Sequence, residues 1–406
     1  SLPMNTAVRS QFPSLNRVVN GHQIVHLDGP AGTQVPQSVI DAIVNVYSNS
    51  NANSHGQFIT SQETDHLIDH TRSQVSALLG AEGGHTISFG ANMTSLNFVL
   101  ANAITRGLQP GDEILITQLD HEANRGPWLH QRRHGIVVRE VLLEEDGSLD
   151  YNDFEKKISE KTRVIALGLA SNIFGTVNEI DRVRQMAYEV GALLVVDAVH
   201  YVPHLLTDVR EIDCDFLLCS AYKFYGPHVG ILYSRPGALD RLDIGPLRVQ
   251  IQNAPYRIER GTLNHAALAG VSAAVDFIAS LGKGDSLRNK IKDALSIIQN
   301  HERSLAQQLY LGLREMDGVD IYGPPLKETQ RAPTLSFTVE GKRPEDICKQ
   351  LAEKSICAWD GHFYAIRAME VMDLTGQGGV TRMGMAAYNT SDEVEYVIDQ
   401  LNKILA

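Results

Sequence analysis

Leu193-Leu194-Val195-Val196-Asp197-Ala198-Val199-His200 is an apolar run that stops on a carboxylate. Consecutive apolar residues leave no face for water, so Ala192 to Val196 reads as a strand covered on both sides. Strands of that kind belong to parallel sheets, which gather polar groups at their carboxyl ends. The same pattern repeats outward in both directions. Upstream lie Ile87-Ser88-Phe89, closed by Gly90, a helical stretch from Thr94 to Ile104, and the strand Glu113 to Thr117. Ile136 to Leu143, Arg163 to Leu169 and a helix near Asp181 to Val190 follow. Downstream come Asp215 to Cys219 and Gly230 to Ser234. Strands alternating with helices predict an α/β fold: a mostly parallel seven-stranded sheet in a three-layer α/β/α domain.

The pattern changes after about residue 280. Leu287 to Met316 reads as a long helix, Pro333 to Val339 as a strand, and Pro344 to Lys354 as a helix opened by proline. Thr381 to Ala386 is a further strand, and Ser391 to Leu405 an amphipathic helix. A large domain over 26–282 and a smaller α+β domain over 283–406 are expected, with 1–25 packing against the small domain.

Composition narrows the function. The chain of 406 residues is long enough for more than one core, and its 43% hydrophobic and 21% charged content is that of a globular protein. Its 36 Lys and Arg face 48 Asp and Glu, a net charge of -12, which repels nucleic-acid phosphates and anionic lipid. Neither nucleic acid nor membrane is therefore an expected partner. Cys214, Cys219, Cys348 and Cys357 form no CxxC pair and suggest no zinc site, so no metal is expected. So few cysteines fit a reducing, cytoplasmic setting. No basic leader and no run of eighteen apolar residues stands out.

Five segments place reactive groups at strand ends. In Ser220-Ala221-Tyr222-Lys223-Phe224-Tyr225-Gly226-Pro227 a lysine follows a buried strand. At the mouth of an apolar pocket that amine loses its proton more easily and attacks an aldehyde, although most lysines are simply solvated. Asp197, ending its apolar strand, needs a cationic partner. A pyridinium nitrogen would serve and would make the ring an electron sink; a helix cap or a metal ligand is the alternative. His200 is placed either to hydrogen-bond a ring phenolate or to pack in its loop. Phe89-Gly90-Ala91-Asn92-Met93-Thr94-Ser95-Leu96-Asn97 joins strand, small-residue turn and helix start, a natural anion cradle, though Asn and Thr cap helices everywhere. His121 in Leu119-Asp120-His121-Glu122-Ala123-Asn124 either stacks on an aromatic ring and shuttles a proton, or is structural. Arg382 in Val380-Thr381-Arg382-Met383-Gly384 sits within an apolar strand and awaits an anion, from a substrate carboxylate or an internal salt bridge.

In order and spacing these segments resemble fold type I pyridoxal-phosphate enzymes of the class V aminotransferase family, nearest its group II cysteine desulfurases and selenocysteine lyases. The likeness runs from His26-Leu27-Asp28-Gly29-Pro30-Ala31-Gly32 to Tyr388-Asn389-Thr390 and takes in Ser171-Asn172 and Glu259-Arg260-Gly261-Thr262-Leu263-Asn264. It implies pyridoxal 5'-phosphate as cofactor, with Lys223 as its Schiff-base lysine, Asp197 on the pyridine nitrogen and His121 stacked on the ring. Asn172 would sit near the phenolate and the substrate. His200 stands where the family has Gln. Asn92, Met93, Thr94, Ser220 and Tyr222 would hold the phosphate, and Thr262 would reach the partner's phosphate in a homodimer. Arg382 would bind the substrate carboxylate, with Ala31, His55 and Tyr364 also on the substrate side.

One departure bears on the reaction. Trp359-Asp360-Gly361-His362-Phe363-Tyr364-Ala365 matches the loop that carries the desulfurase nucleophile, and Tyr364 holds the cysteine position. A phenol does not accept sulfur as a thiolate does. Cys357, within a strand, reads as a small core hydrophobe, as do Cys214 and Cys219. The expected enzyme acts on an amino acid as an aminotransferase or C–S lyase. Alternatives are a true desulfurase or selenocysteine lyase with a substitute for the thiol, and a non-catalytic binder that kept the fold. Retention of Lys223, Asp197, His121 and Arg382 together argues against the last.

Overall fold

A computed structural model describes residues 6–327 and 329–406. Of the expected N-terminal segment 1–25, residues 1–5 therefore lie outside the described residues. The large sheet contains β1 (Ile87–Gly90), β2 (Glu113–Thr117), β3 (Val137–Val141), β4 (Thr162–Gly168), β5 (Leu193–Asp197), β6 (Phe216–Ser220) and β7 (Gly230–Ser234). Its spatial order is β1-β7-β6-β5-β4-β2-β3. The pairings among β3, β2, β4, β5 and β6 are parallel; β7 runs antiparallel to both β6 and β1. The short Ala221 to Val229 connection explains the reversal, because a parallel return needs a crossover of a dozen residues or more. β2, β6 and β7 are buried at every position, as strands covered on both faces must be.

Helices α1 (Gln37–Asn49), α2 (Ile59–Leu79), α3 (Met93–Arg106), α4 (Ile180–Val190) and α5 (His265–Ser280) accompany this sheet. The long α6 (Leu287–Arg314) packs on α5 and α2 and, further along, on the small domain. The small domain adds α7 (Pro344–Glu353), α8 (Ser391–Leu405) and an antiparallel sheet of β8 (Val319–Tyr322), β9 (Thr334–Val339), β10 (Trp359–Gly361) and β11 (Val380–Gly384), in the order β8-β9-β11-β10. The cap of α8 is Thr390, whose hydroxyl takes the Glu393 amide while Glu393 takes the Thr390 amide.

The N-terminal stretch touches both units. Phe12 is fully buried, with ring centroids 5.2 Å from Phe277 and 5.0 Å from Tyr388. Val25–His26 pairs in parallel with Ile356–Cys357, and Asp28 bridges to Gly384. Cys214 and Cys219 lie in the core as expected. Cys357 does not. Its two-residue strand sits beside His26, whose ring hydrogen-bonds the thiol, and the residue is only partly buried.

Candidate active site

The carboxyl ends of β2, β4, β5 and β6 open on one cleft, with ≈ 680 Å³ of empty space including its solvent-open mouth. Lys223, Asp197, His121, His200, Asn172, Ser220, Tyr222, Asn92, Met93 and Thr94 all line it. Short turns after each strand put these groups there.

Lys223 follows β6 in a single helical turn, and its Nζ donates to the Pro30 carbonyl. Burial pulls its pKa down to about 7, and Arg382 pulls in the same direction; Asp197 opposes them. A large fraction of the amine is thus unprotonated near neutrality, the form that attacks a carbonyl. Asp197 is buried, and burial raises its pKa to about 6. Oδ1 accepts the Val199 amide at 3.0 Å, but among the described residues the carboxylate forms no ion pair. Behind it, burial and the Asp197 charge raise Asp120 to about 7. Asp120 accepts the Gly168 amide at 3.1 Å, an approach that leaves no room for a Cβ on residue 168, which would lie 2.5 Å from Oδ1.

His121 Nδ1 accepts the Ala123 amide at 2.9 Å. An amide N–H only donates, so the imidazole proton resides on Nε2. Burial, Lys223 and Arg382 lower its pKa to about 4, which keeps the ring neutral. At the start of α3 the Asn92 side chain takes the Ser95 amide at 2.8 Å. The Met93 and Thr94 amides belong to the orphan donors of a helix N-terminus and are available to an anion. Gly230 lets this turn approach β7, since a Cβ there would lie 2.3 Å from the Asn92 carbonyl carbon.

Arg382, 4% exposed on β11, donates from Nη1 to the Asn172 carbonyl at 3.0 Å. Its guanidinium lies 3.8 Å from the Phe363 ring centroid and, among the described residues, has no carboxylate in salt-bridge range. Burial lowers its pKa to about 9, with Asp28 opposing, so it stays cationic at neutral pH. Asn172 Nδ2 donates to the Phe363 carbonyl at 2.9 Å, and the Glu122 amide donates to the Tyr364 carbonyl at 2.8 Å. These bonds hold two successive aromatic residues in the left-handed region, at φ 55° and 59°. Each such residue costs on the order of 1–2 kcal/mol. The Tyr364 ring, well exposed, comes within 5.3 Å of the His121 ring.

Five expected residues do not line this cleft: Arg382 and Tyr364 adjoin it through Asn172 and His121, and the other three lie elsewhere on the single chain. Thr262 and His55 are exposed and line a neighbouring depression, and Ala31 lines a groove behind Tyr222. Tyr222 stacks on His228 with centroids 4.5 Å apart. Sequence reasoning gave no role to Asp120, Phe363 or Thr334. Asp120 adjoins His121 in a quoted segment, but its depth against Gly168 is a tertiary fact.

The donor set fits pyridoxal 5'-phosphate: an amine near neutrality, a buried carboxylate without a cation, and a helix start with free amides. The aminotransferase class-V family model matches residues 25–397. A cysteine desulfurase of Serratia proteamaculans is 33% identical over 414 residues, covering 98% of this chain and 97% of that protein. A probable cysteine desulfurase of Halalkalibacterium halodurans is 30% identical over 411 residues, covering 98% and 97%. The apo structure of a cysteine desulfurase from Thermococcus onnurineus superposes with a TM-score of 0.89 at 26% identity, covering 100% of this chain and 98% of that one.

Proposed function

Because the chain belongs to the class V aminotransferase family of fold type I pyridoxal-phosphate enzymes, we propose that it cleaves a β-substituent, sulfur above all, from a small α-amino acid, with Lys223 moving the proton at Cα. One observation carries the reading: Lys223, poised near neutrality, shares a cleft with the unpaired Asp197, and the adjoining loop presents the phenol of Tyr364 instead of a thiol. When bound, pyridoxal 5'-phosphate supplies an aldehyde for amine exchange and a ring that takes up the electron pair left at Cα. Asp197 would hold a proton at the pyridine nitrogen. The Met93 and Thr94 amides, with Ser220 and Tyr222, would bind the phosphate. Neutral His121 would cover one face of the ring. Arg382 binds the substrate carboxylate through its edge, because Phe363 covers a face of the guanidinium. Elimination needs no thiol acceptor, so Tyr364 is compatible with it.

The cysteine desulfurase names of the relatives favour a second reading, in which sulfur passes from cysteine to an external thiol. Mixing the loaded protein with cysteine, cysteine sulfoxide, serine and alanine separates the two. Pyruvate release is expected; alanine and sulfane sulfur from cysteine, without pyruvate, would overturn elimination in favour of desulfuration, and ping-pong exchange with a keto acid would mark transamination.

The functional unit we propose is a cytoplasmic homodimer in which Thr262 reaches the partner's phosphate. Leu247 and Val249, exposed at 61 and 90%, line the same depression as Thr262, an apolar area that a second copy would cover. Sedimentation at about twice the 44.7 kDa of one chain is the expected result. Among the described residues no helix is long and apolar enough to cross a membrane.

A further inference from the structure

His200 lines the cleft three residues after Asp197 and is 4% exposed. Its Nε2 lies 2.7 Å from Oγ1 of Thr334, the first residue of β9 in the small domain. Thr334 is fully buried, and its hydroxyl makes no other hydrogen bond among the described residues. A buried hydroxyl proton requires an acceptor. Among the described residues the acceptor within reach is His200 Nε2, and a bond in which Thr334 donates to it satisfies that proton.

The charged and titratable groups around this ring come from several elements. Lys223 and Asp197 flank it in the cleft, Arg382 and Arg331 approach from the small domain, and His204 packs edge-on at 5.3 Å and 67°. His204 is anchored in turn by Nδ1 to Glu302 Oε1 of α6 at 2.9 Å, so its ring is a fixed wall against which His200 rests. Burial, reinforced by His204, Arg382, Lys223 and Arg331, keeps His200 neutral. A neutral imidazole whose Nε2 accepts carries its single proton on Nδ1. That nitrogen has no hydrogen-bond partner among the described residues.

We propose that Thr334 is a positioning residue: by donating to His200 Nε2 it fixes the tautomer that offers Nδ1–H to an anionic oxygen in the cleft, the phenolate of pyridoxal 5'-phosphate. This rests on the reading of the Lys223 cleft given above and adds to it a residue from the other domain. The strand that carries Thr334 also pairs with the strand of Arg382, through Ser336 opposite Arg382. The group beside the cofactor is therefore wired to the strand that meets the substrate carboxylate.

The test uses the loaded enzyme carrying ¹⁵N-labelled histidine, in wild type, Thr334→Val and Thr334→Ser. Long-range ¹H–¹⁵N correlation reads the His200 tautomer, and a visible-absorbance titration reads the spectral midpoint. Wild type and Thr334→Ser should show Nδ1–H. Thr334→Val should lose that single tautomer and move the midpoint by about half a pH unit or more. An Nε2–H tautomer in the wild type, or a coloured Thr334→Val protein with tautomer and midpoint unchanged, would overturn the positioning role while leaving the cofactor reading intact. A wild type that takes up no cofactor would sink that underlying reading instead, and the tautomer would still be legible in the unloaded protein.

Discussion

Removing Arg382 should slow cofactor capture at low pH, and removing Asp197 should do the reverse. The amine of Lys223 sits near 7 because burial and Arg382 depress it against the pull of Asp197. Capture of an aldehyde needs the neutral amine, so its rate rises with pH and levels off above the amine's pKa. At about pH 6 roughly a tenth of a group with that pKa is neutral, and at about pH 8 roughly nine-tenths. Across a cavity of this kind, unit charges roughly 10 Å apart repel by about 1.7 kcal/mol at an effective dielectric of about 20, slightly more than one pKa unit. Arg382→Met should therefore carry the midpoint of the capture profile up by about one unit and cut the rate at about pH 6 roughly tenfold. Asp197→Asn removes the attracting carboxylate and should carry the midpoint down. The assay is stopped-flow absorbance after mixing cofactor-free protein with pyridoxal 5'-phosphate across a pH series, with Lys223→Ala as the colourless control. Coincident midpoints for wild type and Arg382→Met, or displacement of both variants in the same direction, would refute the electrostatic account of this lysine.

Other outcomes follow from the same geometry. Glu259→Gln should lower the unfolding free energy by about 3–5 kcal/mol in urea, because it leaves Arg72 uncompensated in a buried bidentate pair with both bonds at 2.7 Å; a loss below about 1 kcal/mol would show the pair to be dispensable. Asn172→Ala should speed hydrogen exchange over residues 361–365, since it deletes a tether worth about 1 kcal/mol; unchanged exchange there would mean that the remaining bonds suffice. Tyr364→Cys should keep the stability within about 0.5 kcal/mol, the exposed ring adding little to the core, and denaturant midpoints compare the two proteins directly.

The regular frame was legible because its signals are local. β2, β7 and α8 have the boundaries expected from apolar runs and a polar helix start, and the other strands of the large sheet differ by one or two residues. Helices α1, α2 and α5 drew no expectation. α5 is apolar around most of its circumference and α2 mixes polar and apolar residues, so neither displays a clean stripe. β10, three residues long, is created by pairing with β11 and has no signature of its own. At the site, Lys223 and Asp197 announced themselves as charges ending buried strands. Thr334 did not, because its meaning depends on a partner 134 positions away in sequence. Cys357 reads as core from sequence because an apolar neighbourhood there says nothing about which side chain stands opposite across a strand pair.

The loop at Phe363 and Tyr364 is fastened by its main chain. Asn172 and the Glu122 amide grip two carbonyl oxygens, and neither aromatic side chain takes part in those bonds. Such an attachment works as a socket: the reagent it presents can be exchanged while the mounting stays put. A different side chain can therefore be mounted at position 364 without disturbing the bonds that hold the loop.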